Sequence, residues 1–394
     1  MRLISAVCFI APLWLGISAT TQDELQSESS ALCPRIPQVS CLLASASSDS
    51  HVFEGVEKRI EIHFAVPDTN ARGLHEVSRS TWDTICEASK CTIIHEEPDA
   101  CFDSYILSES SLFVFRDRMM IKTCGTTVPL SGVRAIIDAG VSADLEPLRM
   151  TYSRSSFVFP DLQLFPHNDL DTELKYLETM DLGTVISQDT GILGDVESTY
   201  WLVHTKTFRA AIRTKVSHPV MIDCIMTQLS ADTRARYFKD ARKEDHHNEE
   251  EMRASLQSID ESCKIVGKCY DPCGYSCNAH GCADKYFTVH ITPEEAFSYA
   301  SVESTFEETD IAQVEGFVER VITAFQPRKF VITILAPVDS LRELSRHVES
   351  MFPAGFISSE VGVQRLCSGE LVAMSIMFTL APQKDRLTSL VYKP

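Results

Sequence analysis

The alternation of apolar and polar positions is sharpest from Tyr105 to Phe115, where YILSESSLFVF carries aromatic and β-branched side chains at a period of two. It resumes in MMIKTCGTT after a charged turn at Arg116-Asp117-Arg118, and the pair predicts a hairpin. Within its first strand, Glu109-Ser110-Ser111 breaks the pattern with small and charged residues. A local rule broken inside a strong element points to function or strain. Upstream, the segment 53–66 starts as a turn and becomes a strand with Ile60, Ile62 and Phe64 on one face and Glu61 and His63 on the other. Helices are predicted over 80–89, 133–143, 171–180, 311–325 and 340–351. Further strands are predicted over 91–95, 149–159, 199–205, 286–291, 297–304, 330–335 and 371–380. Strands at short spacing with helices between them, in both halves, predict an α+β fold of antiparallel sheets covered by helices.

Composition narrows the function class. The 394 residues are 44% hydrophobic and 23% charged, ordinary globular values, and the formal net charge of −19 argues against binding nucleic acid or an anionic membrane surface. Small-molecule and protein partners remain. Met1-Arg2 followed by LISAVCFIAPLWLGISAT has the form of a secretory leader, with small residues near Ala19, and it is interrupted by Pro12 and short for a membrane span. It reads either as such a leader, with a secretory destination, or as an extension from an upstream start. Residues 20–50, rich in Ser, Thr, Gln and Ala, read as a mobile lead-in, so the division is 1–50 extension and 51–394 globular domain. The fourteen cysteines leave open a disulfide-stabilised interaction protein. Cys269, Cys273, Cys277 and Cys282, with His280 nearby, lack the tight spacing of a zinc knuckle and read as buried thiols or a local disulfide. The charge block 240–253, DARKEDHHNEEEMR, reads as a solvated loop or helix face, so no metal site is expected.

Four separated motifs carry a resemblance: LSESS at 107–111, KTCGTT at 122–127, PCGYS at 272–276 and TVHITPE at 288–294, with FEG at 53–55 ahead of them. In this order they resemble the eukaryotic S-adenosylmethionine decarboxylase family, densely at the motifs and thinly between them and after about Gln364. The resemblance implies a four-layer αββα sandwich of two antiparallel sheets flanked by helices, and a cytoplasmic enzyme supplying aminopropyl groups for spermidine and spermine synthesis. It also implies a chain that cuts its own backbone between Glu109 and Ser110, giving 1–109 and 110–394 and leaving a covalent pyruvoyl group at residue 110. Such a ketone would condense with the substrate amine as a Schiff base and take up electrons as CO2 leaves.

By matching positions, Ser276 would hydrogen-bond the ester intermediate of cleavage, His290 would remove the α-proton of residue 110, and Cys124 would donate the proton after decarboxylation. Phe53 and Tyr270, the latter where the family usually has phenylalanine, would sandwich the adenine. Leu107 would contact the ligand through its backbone, and Glu294 would bind the ribose hydroxyls. Glu54 and Glu57 join the catalytic set as acids beside a cationic ligand, the alternative being a solvated turn. Glu61, Lys122, Asp223 and Glu303 match part of a buried putrescine site, but its second acid and threonine fall on Pro219 and Met221 and its aromatic lining on Thr151 and Leu335. Little or no putrescine stimulation is therefore expected. A homodimer, or pairing with a regulatory paralogue, is the protein partnership the family allows. A non-catalytic paralogue is the rival reading, against which stand the retained Ser110, Cys124, Ser276 and His290.

Overall fold

The computed structural model describes residues 53–214, 216, 218–240, 242–307, 313–347 and 353–382, all within one compact unit that begins at Phe53. The leader and lead-in at 1–50, the start of the helix at 311 and the end of the helix at 348–351 lie outside the described residues. The first sheet contains β1 (Lys58–Ala65), β2 (Ile93–Glu97), β3 (Phe102–Leu107), β4 (Ser110–Phe115), β5 (Arg118–Thr123), β6 (Glu146–Ser155), β7 (Val185–Gly194) and β8 (Tyr200–Phe208), in the order β2-β3-β4-β5-β1-β6-β8-β7. The second contains β9 (Val220–Leu229), β10 (Lys264–Cys269), β11 (Tyr275–His280), β12 (Tyr286–Thr292), β13 (Tyr299–Phe306), β14 (Pro327–Pro337), β15 (Phe356–Leu366) and β16 (Leu371–Leu380), in the order β10-β11-β12-β13-β9-β14-β16-β15. Adding eight to each label of the first order gives the second, so both halves are built on one topology.

Helices α1 (Arg79–Ala88), α2 (Val133–Ser142) and α3 (Leu170–Thr179) cover the first sheet. Ser78 caps α1 by accepting from the Thr81 N–H, and Asp169 caps α3 in the same way from Thr172, each satisfying a backbone donor that the first turn leaves free. Trp82, Ile85, Ile136 and Leu177 from these helices share one core with Ile60, Ile62, Phe64, Leu112, Val114, Met119 and Ile121 from the strands. The packing is close: a β-carbon at Gly140 would lie 2.3 Å from the Phe64 ring. On the second sheet, α4 (Ala231–Ala235) is followed by α5 (Asp245–Ala254), α6 (Gln313–Phe325) and α7 (Leu341–His347). Phe317 and Phe325 of α6 meet Phe306 and Tyr237. Among the described residues no helix is long and apolar enough to cross a membrane.

The opposite faces of the two sheets meet each other. One end of this inner layer is aromatic, with Phe102, Phe113, Phe115 and Tyr286, and the other is built on Leu193, Trp201, Met221 and Leu335. Between them lie the polar positions of the β1 alternation, Arg59, Glu61 and His63, buried rather than facing water.

The structure corrects the sequence reading at several elements. The strand expected over 105–115 is two strands, with Leu107 paired to Ser110 and Ser108-Glu109 forming the turn, so the interruption in the pattern is a reversal of the chain. Strands β7, β9, β10, β11 and β15 were not predicted. β7, β10 and β15 are edge strands, and polar side chains of β9 and β11 enter the inner layer on the face opposite their apolar one. The charge block does contribute the solvated helix face it was read as, in α5, with Asn248 and Met252 alone turned inward. All eleven cysteines among the described residues are unpaired, so of the two readings of the set at 269–282 the local disulfide falls away, and of that set only Cys277 is buried while Cys282 is exposed. Nearby His280 is engaged elsewhere, 2.8 Å from the Ser104 hydroxyl and stacked on Phe102.

Candidate active site

The site forms around the two-residue turn between β3 and β4. Ser108 pins the turn to the strand lead beside it: its N–H donates to the Thr92 carbonyl at 2.8 Å and its Oγ accepts from the Thr92 N–H at 3.0 Å. The next carbonyl, of Glu109, accepts the Cys124 N–H at 3.1 Å. The Ser110 hydroxyl donates to Cys124 Sγ at 3.4 Å. Ser110 is held at φ 114°, a region that side-chain-bearing residues adopt only when their surroundings impose it. A polarised carbonyl, a neighbouring hydroxyl and backbone strain thus converge on the Glu109–Ser110 bond.

The KTCGTT segment is shaped to sit under this bond. Gly125, at φ +62°, donates its N–H to the Glu54 carbonyl at 2.8 Å, and a β-carbon there would stand 3.1 Å from a Glu109 carboxylate oxygen and 3.4 Å from the Phe53 ring. Buried Lys58 donates to the Gly125 carbonyl at 3.0 Å and to Gln163 Oε1 at 2.9 Å. Burial draws its ammonium down to about 8, with Cys124 and Glu54 acting in the opposite sense. Burial pushes the Cys124 thiol up, with the charges of Glu109 and Glu57 adding to it, so at neutral pH this group holds its proton. Burial likewise pushes the Glu109 carboxyl up to about 7, against the pull of Lys58.

His290, on β12, approaches from the second sheet. Its Nδ1 is paired with Glu57 Oε1, while Nε2 lies 2.9 Å from the Ser111 hydroxyl and 3.2 Å from that of Thr288. Ser111 also donates to Asn278 Oδ1 at 2.7 Å. Glu57 is further engaged by the hydroxyls of Ser301 and Tyr299. Its burial favours the neutral form, but His290 and Lys122 outweigh this and hold the carboxyl at about 2. The Glu57–His290 pair fixes the ring, leaving Nε2 toward the residue next to Ser110. Ser276 is the register partner of His290 across β11 and β12. Tyr270 donates its hydroxyl to the Leu107 carbonyl at 2.8 Å and has the Ser276 hydroxyl beside it.

Glu54 plays a part the sequence did not suggest, and Glu294 does not share it. Glu54 uses both carboxylate oxygens on backbone donors, Val56 N–H at 3.0 Å and Phe159 N–H at 2.7 Å, so it organises the turn that carries Phe53. Glu294, four residues past His290, instead keeps one buried carboxylate oxygen without a partner, and burial pushes its carboxyl up.

Glu61, Lys122, Asp223 and Glu303 do come together between the sheets. Lys122 Nζ lies 2.7 Å from Asp223, 3.3 Å from Glu303 and 3.4 Å from Glu57, which joins this cluster to His290. Sequence reasoning missed its second cation. Arg59 pairs with Glu303 and with Glu61, each at 2.9 Å, and His63 lies 3.2 Å from Glu61. Burial works against both cations, but their carboxylate partners outweigh it and raise their pKa values. Ser111, Asn278 and Ser301 were missed as well. The period-two face of β11 would have supplied Asn278 beside Ser276, had that strand been recognised.

The family model described as adenosylmethionine decarboxylase matches residues 50–376. An S-adenosylmethionine decarboxylase proenzyme of Datura stramonium is 34% identical over 293 residues, spanning 73% of this chain and 79% of that protein. The chain belongs to the adenosylmethionine decarboxylase family. A proenzyme of the same description from Caenorhabditis elegans is 31% identical over 296 residues, 74% of this chain and 78% of that one. The crystal structure of Trypanosoma brucei AdoMetDC-delta26 monomer shares the fold with TM-score 0.52 at 22% identity, covering 69% of this chain and 99% of that chain. The two helix-covered antiparallel sheets and the decarboxylase activity expected from the motifs are those of this family.

Proposed function

We propose that the chain cuts itself between Glu109 and Ser110 and, with the pyruvoyl group so formed at residue 110, decarboxylates S-adenosylmethionine. The observation that carries this reading is the Glu109 carbonyl bonded to the Cys124 N–H next to a serine at φ 114°. The Ser110 oxygen adds to that carbonyl, the N–H stabilises the charge that develops, and the C–N bond breaks to leave an ester and a free amine on residue 110. His290, its ring held by Glu57, takes the α-proton of residue 110. The Cβ–O bond then breaks, Glu109 leaves as a carboxylate, and water replaces the remaining nitrogen as ammonia. The resulting ketone supplies an electron sink that standard side chains lack.

The other residues bind substrate and move one proton. Cys124, protonated at neutral pH, is suited to return a proton to the substrate carbon after CO2 departs. Phe53 and Tyr270 offer aromatic faces for the purine, and the free oxygen of Glu294 can accept ribose hydroxyls. The surrounding carboxylates favour a sulfonium cation. Replacing Ser110 with alanine tests the scheme: the expected product is one uncut chain that releases no CO2 from S-adenosylmethionine, and CO2 release by that variant would refute it.

Putrescine is expected to have little or no effect. Arg59 already lies among the carboxylates, Met221 and Trp201 line the gap beside them, and the space left is ≈10 Å³, room for about one water.

A further inference from the structure

Beyond its aromatic face, Tyr270 carries a hydroxyl that the substrate-stacking role does not use. That hydroxyl donates to the Leu107 carbonyl at 2.8 Å. Leu107 is fully buried, and it is the strand residue that pairs with Ser110 across the cleavage turn. The donor is firmly placed. The Tyr270 N–H bonds to the Gly274 carbonyl at 3.1 Å, the Gly274 N–H bonds to Tyr237 at 2.9 Å, and a β-carbon at Gly274 would meet the Tyr270 ring at 3.7 Å. On the far side of the scissile bond, Ser111 is held by Asn278 and His290 of the second sheet. Asn278 also donates to the Tyr105 carbonyl at 3.1 Å. The second sheet therefore holds both strands of the hairpin, with Asn278 tying β3 at Tyr105 and β4 at Ser111, and at Leu107, the residue next to the turn, the tie is a single phenol.

We propose that Tyr270 is a positioning residue for self-cleavage: by fixing the Leu107 carbonyl it holds the turn with the Ser110 hydroxyl beside the Glu109 carbonyl. It acts on the first step, in which the Ser110 oxygen bonds to the Glu109 carbon and the peptide C–N bond breaks. It donates no proton to either reacting atom. The inference rests on the self-cleavage reading above.

The test follows freshly synthesised wild-type, Tyr270→Phe, His290→Ala and Ser110→Ala chains by denaturing gel and intact mass over time. Phenylalanine keeps the ring and removes one hydrogen bond, so the Phe variant should be cut roughly tenfold more slowly, with its thermal midpoint unchanged. Hydroxylamine, which opens esters, should not hasten separation of the Phe variant, because little ester forms, whereas it should hasten that of His290→Ala. Cutting of the Phe variant at the wild-type rate, or accumulation of a hydroxylamine-sensitive ester in it, overturns the proposal. A wild-type chain that stays as whole as Ser110→Ala overturns the self-cleavage reading itself, and this role with it.

Discussion

Ser110 is a serine where the backbone conformation favours glycine, and its strain is accompanied by two contacts from one neighbour: the Cys124 N–H on the preceding carbonyl and Cys124 Sγ on its own hydroxyl. That this residue is set apart was legible in the sequence because LSESS broke a regular pattern. Its geometry was not: alternation reports which face a side chain occupies and is silent on a two-residue reversal, so the turn at Ser108-Glu109 was read as strand. The role of Glu57 was hidden for a similar reason. In sequence it is an acid in a turn, whereas in the fold it is the partner of a histidine 233 positions away. Removing that histidine should separate the two steps of cleavage. His290→Ala is expected to form the ester and stall before elimination, seen as a chain of unchanged mass that hydroxylamine divides at residue 109. A His290→Ala chain that matures at the wild-type rate would assign the α-proton to another base.

At the scale of the element, β1 and β5 present their polar faces to the partner sheet rather than to water. Antiparallel strands with one apolar and one polar face usually expose the polar side. Here the helices take the apolar face, Arg59 and Lys122 are matched by Asp223 and Glu303 from β9 and β13, and Glu61 is matched by Arg59 beside it. The sequence shows the alternation of β1 but cannot show that a second sheet covers it. Breaking such a buried cluster on one side leaves charges without partners. Lys122→Met is expected to lower unfolding free energy by about 3–5 kcal/mol in denaturant titrations, far more than an exposed lysine would. The same cluster gives a pH dependence of known sign. The Glu57 carboxyl is held at about 2 against 4.5 when free, so its contribution to stability is fully present above pH 4.5 and is lost as pH falls toward 2. The size is about 3 kcal/mol from the shift. The stability difference between wild type and Glu57→Gln should therefore shrink as pH falls from 5 to 3, and a difference that stays constant would contradict this assignment.

For the whole molecule, the repeated strand order places the candidate site at the meeting of two equivalent halves: the first contributes the Glu109–Ser110 turn and Cys124, the second Ser276, His290 and Tyr270. The motifs were readable because short local runs carry the chemistry. The repeat was not, because equivalent strands share a place in the topology and not a sequence. The central ion cluster also predicts the response to a diamine. With Arg59 in place, adding putrescine should leave both the cutting rate and the decarboxylase rate unchanged, and a clear rise in either would show that the gap beside Lys122 opens to admit it. The most direct test of the account is the intact mass of the purified wild-type protein, measured before and after borohydride treatment in the presence of S-adenosylmethionine. The account predicts two polypeptides divided after Glu109, with the larger one blocked at its first residue and gaining the mass of reduced substrate. A single full-length polypeptide that is fully active and takes up no hydride would contradict it.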